Sequence, residues 1–552
     1  MQLGNAASVE WTQRVESSSL LRDPLGIEDQ HLYLQKEFTV GITSVTPRAR
    51  YYTIWAYYYE YLYRTGVVDP NKFEKIFILS SLAHHKGNYQ SPDLIHMYNN
   101  QKFANDWNQK TAFTLDFIIN GYGRVYYNRQ MEVFRCAWMR NGQEYISKIN
   151  AKLANTLSFL DPNDFERESF TIDELNNLFN GFCICQTSQN SEENKILSKL
   201  MFGFFSEKNG NADIDDLAFN EYMKGAVKLD FINRPLPWTS FHDYYSLQEQ
   251  NSRRRNTLLL FLKIIYETSP PSKSEFRRYI WDAIYFNQNR KTKEDLYFGE
   301  LENTRKYWEF FQLNLYYVYL VEKTLEGIQK IVMENIGIHK KNLINSLNIE
   351  NIFLRLSEEL SCDVNENTSM KEIFLRIAQI NENTKSSLNS DLNESDIFND
   401  LNVENLEIFL AKSITFLGLL YHRYNQNLQF IEKPLKVNDI SSLQIEDLFS
   451  YLENNGEDEN ITSFFTELFR VLINRHFFIS AQRFAENNTK NWLFTEEDGR
   501  LYSARIPIKI SPLDNRWSSI RTIMTDLGFI YRDSYSELKL TDKGLLWLQQ
   551  IK

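Results

Sequence analysis

The stretch Arg516–Leu548 permits few folds. With Trp517 at zero on a helical wheel, Ile520, Ile523, Met524 and Leu527 fall on its side. Ser518, Thr522 and Thr525 fall opposite, flanked by Ser519 and Arg521. That is the period of an amphipathic helix. Gly528 supplies the left-handed residue that ends such a helix. Leu538 and Leu540 then alternate with Glu537 and Lys539, as a half-buried strand does. Thr541 suits the cap of a closing helix. The predicted order is helix, tight turn, short hairpin, helix.

This order resembles the second half of a winged helix-turn-helix. The resemblance implies that the face carrying Arg516, Ser518, Arg521, Thr522 and Thr525 contacts nucleic acid, hydroxyls to phosphate and arginine to a guanine edge. Residues 500–552 hold nine Lys/Arg against five Asp/Glu, so this part is basic within a chain of net charge −11. Two features depart from the pattern. A hairpin, Trp492–Thr495 and Leu501–Ala504 joined at Asp498-Gly499, precedes the helix where two helices are expected. The wing Arg532–Glu537 carries one basic residue against two acids. Many winged helices dock proteins instead, and that reading stays open.

The rest of the chain reads as helix. Gly and Pro number only 20 and 12 in 552 residues, too few for many short strands joined by turns. Aromatic residues reach 14%, which supplies large rings for full-sized cores. The expected class is mainly α: a multi-domain helical protein with a C-terminal winged helix and little β structure. No apolar run of about 18 residues occurs, so no membrane span is expected. No secretory leader pattern opens the chain, and four cysteines in so long a sequence fit a reducing cytoplasm.

Four regions are expected: an aromatic-rich helical region 1–245, a helical region 246–335, a helical region with an Asn/Ser/Asp-rich loop 336–445, and a winged-helix region 446–552. Tyr51, Trp55, Tyr58 and Leu62 share one helical face while Tyr57 and Tyr61 fall elsewhere, so that helix should be buried nearly all round. Residues 111–160 read as helix broken at Gly121-Tyr122-Gly123. Asn209-Gly210-Asn211 reads as a turn and Arg234-Pro235-Leu236-Pro237 as a rigid extended piece. Trp308, Phe311, Leu315, Val318 and Glu322 mark a long amphipathic helix. The polar tract Asn381–Asn405 reads as an exposed or disordered linker.

No phosphate-binding glycine loop, His-Glu-x-x-His pair, paired Cys-x-x-Cys or nucleophile elbow occurs, so no cofactor, metal or catalytic residue is assigned. Weaker signals have plainer readings. His84-His85, near His96, could ligate metal or phosphate, but a solvated loop is favoured. Cys183-Ile184-Cys185 alone is not a zinc spacing. Arg470 and His476 have a spacing used by some helical ribonucleases, but a structural Arg and a helix-surface His are favoured. Asp213–Asp216 near Lys224 and Lys228 could serve a nuclease, yet acids at a helix start suffice as explanation. Arg253-Arg254-Arg255 could bind phosphate, and reads more simply as a solvated helix start.

Near the other end, Gly41-Ile42-Thr43 leads to Thr46, Pro47, Arg48, Arg50, Tyr51 and Tyr52. Thr46 suits an N-cap and Pro47 the first helical turn. The motif and its aromatic helix resemble the opening of large uncharacterised bacterial proteins of anti-phage defence gene clusters. The resemblance implies a non-catalytic or sensor subunit working with partner proteins. With the C-terminal module, the expectation is a nucleic-acid-binding or scaffold subunit of a defence complex that meets other subunits and, through that module, duplex DNA. Arg48 and Arg50 are expected to pair with buried or interface carboxylates, or to contact phosphate. A diverged nuclease effector and a purely protein-docking adaptor are the alternatives.

Overall fold

Helices carry the fold, and strands occur only in small antiparallel pairs and one three-stranded sheet among the described residues. The computed structural model describes residues 23–28, 35–44, 48–63, 66, 68–88, 107, 112–115, 129–140, 143–187, 191–208, 211–225, 247–272, 275–384, 388, 390, 392–427, 443–487, 492–504, 508–512 and 516–550. Among them, no helix is long and apolar enough to cross a membrane.

Helix α1 (Arg50–Tyr57) has all eight residues buried and runs on into a π-helical turn, Tyr58–Leu62. Tyrosines tolerate that burial because their hydroxyls reach carbonyls: Tyr57 bonds Leu160 at 3.1 Å and Tyr58 bonds Val68 at 3.2 Å. The expected cap at Thr46 and Pro47 lies outside the described residues. Helix α2 (Pro70–His84) starts where Asp69 accepts from the amides of Asn71 and Lys72 and Pro70 fills the first turn.

Residues 111–160 are not continuous helix. Strand β1 (Ala112–Thr114) comes first, then β2 (Ala137–Arg140) and β3 (Gln143–Ile146) pair with each other, and helix α3 (Lys148–Asn155) follows. The sequence pair Asn141-Gly142 between β2 and β3 is the hairpin signal that outweighed the helical reading. Gly121–Gly123 lies outside the described residues. Strand β4 (Ser169–Thr171) pairs with β1 and leads into α4 (Ile172–Leu178) through a capping box of Thr171 and Glu174. Helix α5 (Glu192–Met201), the hairpin β5 (Phe205–Lys208) and β6 (Asn211–Ile214), and helix α6 (Asp216–Met223) complete this part. Asn209 and Gly210 of the expected turn, and Arg234–Pro237, lie outside the described residues.

Helix α7 (Leu247–Thr268) ends just before Pro270-Pro271, and α8 (Phe276–Tyr285) follows. Helix α9 (Glu302–Glu334) is the central rod. The expected amphipathic stripe is there, but Phe310, Leu313, Tyr317 and Val321 on other faces are also buried, so α9 is covered nearly all round. Strand β7 (Ile338–His339), α10 (Ile349–Leu360), α11 (Met370–Thr384), α12 (Glu394–Asp400), α13 (Leu406–Asn427), α14 (Ile445–Asn455) and α15 (Ile461–Asn487) follow. The described residues of the tract Asn381–Asn405 are largely packed rather than a loose linker. Asn381, Leu388, Leu392 and Ile397 are buried, and Glu394 pairs with Arg423 at 2.7 Å in the interior. Polar composition did not announce those anchors.

Strands β8 (Phe494–Glu497) and β9 (Arg500–Ser503) form the expected hairpin, with Asp498 and Gly499 both at positive φ, and β7 adds a third strand. Then come helix α16 (Trp517–Asp526), strands β10 (Ile530–Arg532) and β11 (Leu538–Leu540), and helix α17 (Asp542–Leu548). Gly528 at φ +68° follows α16, and the Thr541 hydroxyl accepts from the Gly544 amide. Two helices from far upstream in the sequence, α7 and α8, pack against this C-terminal part. Residues 270–272, between α7 and α8, bridge to residues 536–538 at the start of β11: Leu538 N donates to Pro270 O at 2.9 Å and Ser272 N to Ser536 O at 2.8 Å. Helices α7 and α8 thereby pack with α16, β11 and α17, and the buried core runs unbroken through all four sequence regions.

Candidate functional site

The polar face of α16 lies beside the start of α8. Arg277 Nε donates to Ser518 Oγ at 3.3 Å. Arg521 Nη1 donates to Ser272 O at 2.6 Å, with its guanidinium over the Phe276 ring. Burial lowers the Arg521 pKa, and the neighbouring charge of Arg277 lowers it further. The Thr522 and Thr525 hydroxyls donate back to Ser518 O and Arg521 O one turn earlier. Thr525 and Arg277 are exposed, and Ser518, Arg521 and Thr522 are half-buried. Arg516 does not join this face. Its Nη1 donates to Ile42 O at 2.7 Å and to Thr39 Oγ1 at 3.0 Å, because the turn around Gly41 leaves acceptors there. Arg277 is the residue that sequence reading missed, since its helix lies about 240 positions upstream.

Arg48 and Arg50 both meet carboxylates. Arg48 Nε sits 2.9 Å and 3.1 Å from the two oxygens of Asp526, which also accepts from the Ala49 amide. This ties the start of α1 to the end of α16, where an unpaired acid would oppose the helix dipole. Arg50 Nε lies 3.1 Å from Glu193 Oε1, and its Nη1 donates to Cys183 O at 2.5 Å. Burial raises the Glu193 pKa, and the Arg50 charge works against that rise.

The weaker signals separate clearly. Arg470 is an exposed residue paired with Glu467, whereas His476 is fully buried, accepting from the Leu493 amide and facing Pro24 O, so it is not on the helix surface. Asp213 pairs with Lys152, Asp216 with Lys199, and Asp215 caps α6. Lys228 lies outside the described residues. The run Arg253–Arg255 is not a solvated helix start. Arg254 is fully buried and donates to Leu200 O and Met201 O, carbonyls at the end of α5. Carbonyls in the last turn of a helix have lone pairs to satisfy, and a guanidinium fork supplies several donors at once.

His84 and His85 are not simply a solvated pair. The fold brings them to Cys183 and Cys185, so that one ligand atom from each lies within 4.8 Å of the others. Cys183 Sγ is 3.4 Å from His85 Nε2 and 3.5 Å from Cys185 Sγ. Cys183 is buried, His85 and Cys185 are half-buried and His84 is exposed. The hydrogen bond from Cys185 is the largest influence on the Cys183 thiol, and together with nearby His85 it outweighs burial and holds the pKa at about 5. His96 lies outside the described residues.

Lys543 of α17 reaches into the seam between α5 and the end of α16. Its amine donates to Asn194 Oδ1, Ser198 Oγ and Leu527 O, over the Phe529 ring. Burial lowers its pKa from 10.5 to about 7. Below that pH the amine is charged in both folded and unfolded chains, and the burial cost is full. Between about 7 and 10.5 the folded chain has shed a proton that the unfolded chain keeps, so stability rises with pH across this window. Lys543→Met is expected to flatten that rise, as read by urea unfolding at both ends of the window; an unchanged slope assigns the rise to other groups.

Comparison with family models, with curated proteins and with solved structures returns no match.

Proposed function

We propose that the protein is a non-catalytic nucleic-acid-binding or scaffold subunit of a bacterial anti-phage defence complex. In this reading residues 247–285 and 516–550 make one winged helix, split in sequence. The observation that supports it is the bridging of residues 270–272 to residues 536–538 at the start of β11, which holds helices α7 and α8 against α16 and its hairpin. Arg277 and Arg521 lie close enough for their charges to interact where α8 meets α16, with the Ser518 hydroxyl on Arg277 and Thr522 and Thr525 on the same face of α16. Two adjacent guanidinium groups favour a phosphate backbone, and their mutual repulsion falls when an anion binds. The defence setting rests on the resemblance of the Gly41–Tyr52 segment. A nuclease reading loses support because Arg470 is exposed and His476 is buried, while Asp213, Asp215 and Asp216 serve ion pairs and a cap.

Arg277→Glu with Arg521→Glu is expected to weaken duplex binding and to lower its salt slope by about 1–2, one for each phosphate that is no longer neutralised. A gel-shift titration at several salt concentrations reads both, with a melting curve to show that the fold is kept. Equal affinity in the folded variant removes nucleic-acid binding by this face. A second reading, protein docking, is favoured by the wing: Tyr535 is 86% exposed and Tyr531 46%, close to the acid Asp533. Exposed tyrosines suit a protein partner more than an acidic wing suits phosphate.

A further inference from the structure

We propose that His84, His85, Cys183 and Cys185 bind one zinc-class divalent ion in a tetrahedral, structural site. Two thiolates and two imidazoles are a ligand set that selects zinc among the common divalent ions, with four protein ligands closing the site. The spacing fits. Bonds of about 2.3 Å to sulfur and 2.0–2.1 Å to nitrogen require tetrahedral edges of roughly 3.8 Å between sulfurs and 3.6 Å from sulfur to nitrogen. The corresponding separations are 3.5 Å and 3.4 Å. The four ligands also stay within 4.8 Å of one another.

The elements on each side hold the ligands for this purpose. His84 is the last residue of α2 and His85 its C-cap. The chain then turns through Lys86 and Gly87, both at positive φ, and a Cβ on Gly87 would lie 2.4 Å from the Trp107 ring. That turn cannot slide without moving Trp107. Across from it, Cys183 precedes a single 3-10 turn, Ile184–Gln186, which carries Cys185 on the same side. Arg50 fixes the Cys183 carbonyl, and the Gln186 side-chain Nε2 lies 2.9 Å from His84 Nε2, on the outer side of the ligand set. The ion would join two segments about 100 residues apart in sequence.

The full chain purified without chelator is expected to carry one zinc per chain by mass spectrometry of the metal. After chelation and loading with Co²⁺ it should show the visible bands of tetrahedral cobalt and thiolate-to-metal charge transfer. Cys183→Ser with Cys185→Ser should abolish both signals. If that variant does not fold, His84→Gln at the exposed ligand tests the same site and should weaken metal affinity at least about tenfold, the lower end of what losing an outer hydrogen-bond partner alone costs. Wild-type protein that neither retains zinc nor gives cobalt bands overturns the proposal. So does a folded His84→Gln that binds as tightly as wild type, or alkylation of Cys183 at equal rates with and without zinc.

Discussion

Trp517→Ala is expected to destabilise the protein by about 3–5 kcal/mol. Trp517 is fully buried at the start of α16, with its ring 4.4 Å from Trp308 and stacked near Phe261 at 6.1 Å. The cavity would open between α7, α9 and α16, three helices that cannot close together while residues 270–272 stay bonded to the hairpin. Trp517→Phe keeps most of the ring area and should lose much less. Urea unfolding of the two variants distinguishes packing from a general intolerance at this position. Equal and small losses would show that α16 is not anchored by this ring.

Arg50→Ala is the second large effect, at roughly 3–5 kcal/mol. It leaves Glu193 buried without its cation and takes a donor from Cys183 O. The cost comes from the stranded carboxylate, so Arg50→Ala with Glu193→Gln should recover part of it, and a double-mutant cycle measures how much. A single variant that unfolds like wild type but has lost biological activity would instead place Arg50 against a partner or phosphate.

Local signals in the sequence carried far, and distant ones did not. The order of α16, hairpin and α17 was legible because a 3.6 period, a left-handed glycine and a threonine cap all lie within thirty-odd residues. The burial of α1 was legible from aromatics on every face. The segment that bridges to the start of β11 was not, since residues 270–272 are too few to alternate and begin with two prolines. The run Arg253–Arg255 looked like surface charge because nothing in it reveals that helix carbonyls wait at the end of α5. The sulfur and imidazole ligands were each noticed as pairs, but a separation near one hundred residues has no spacing rule to join them. Strands β2 and β3 hid within a stretch whose apolar content suits helix or strand alike.

The pairing of residues 270–272 with β11 also sets a schedule. Helices α7 and α8 leave the ribosome roughly 230 residues before α16, a delay of about 10–50 s at ordinary rates of synthesis. Throughout that interval the surfaces around Phe261 and Trp308 lack the ring that later covers them. A nascent chain in this condition is an open invitation to chaperones, and one that stalls before Arg516 presents the same apolar faces to proteases. The apolar faces of α7 and α9 are therefore covered by α16 only once the chain has been translated to its C-terminal segment.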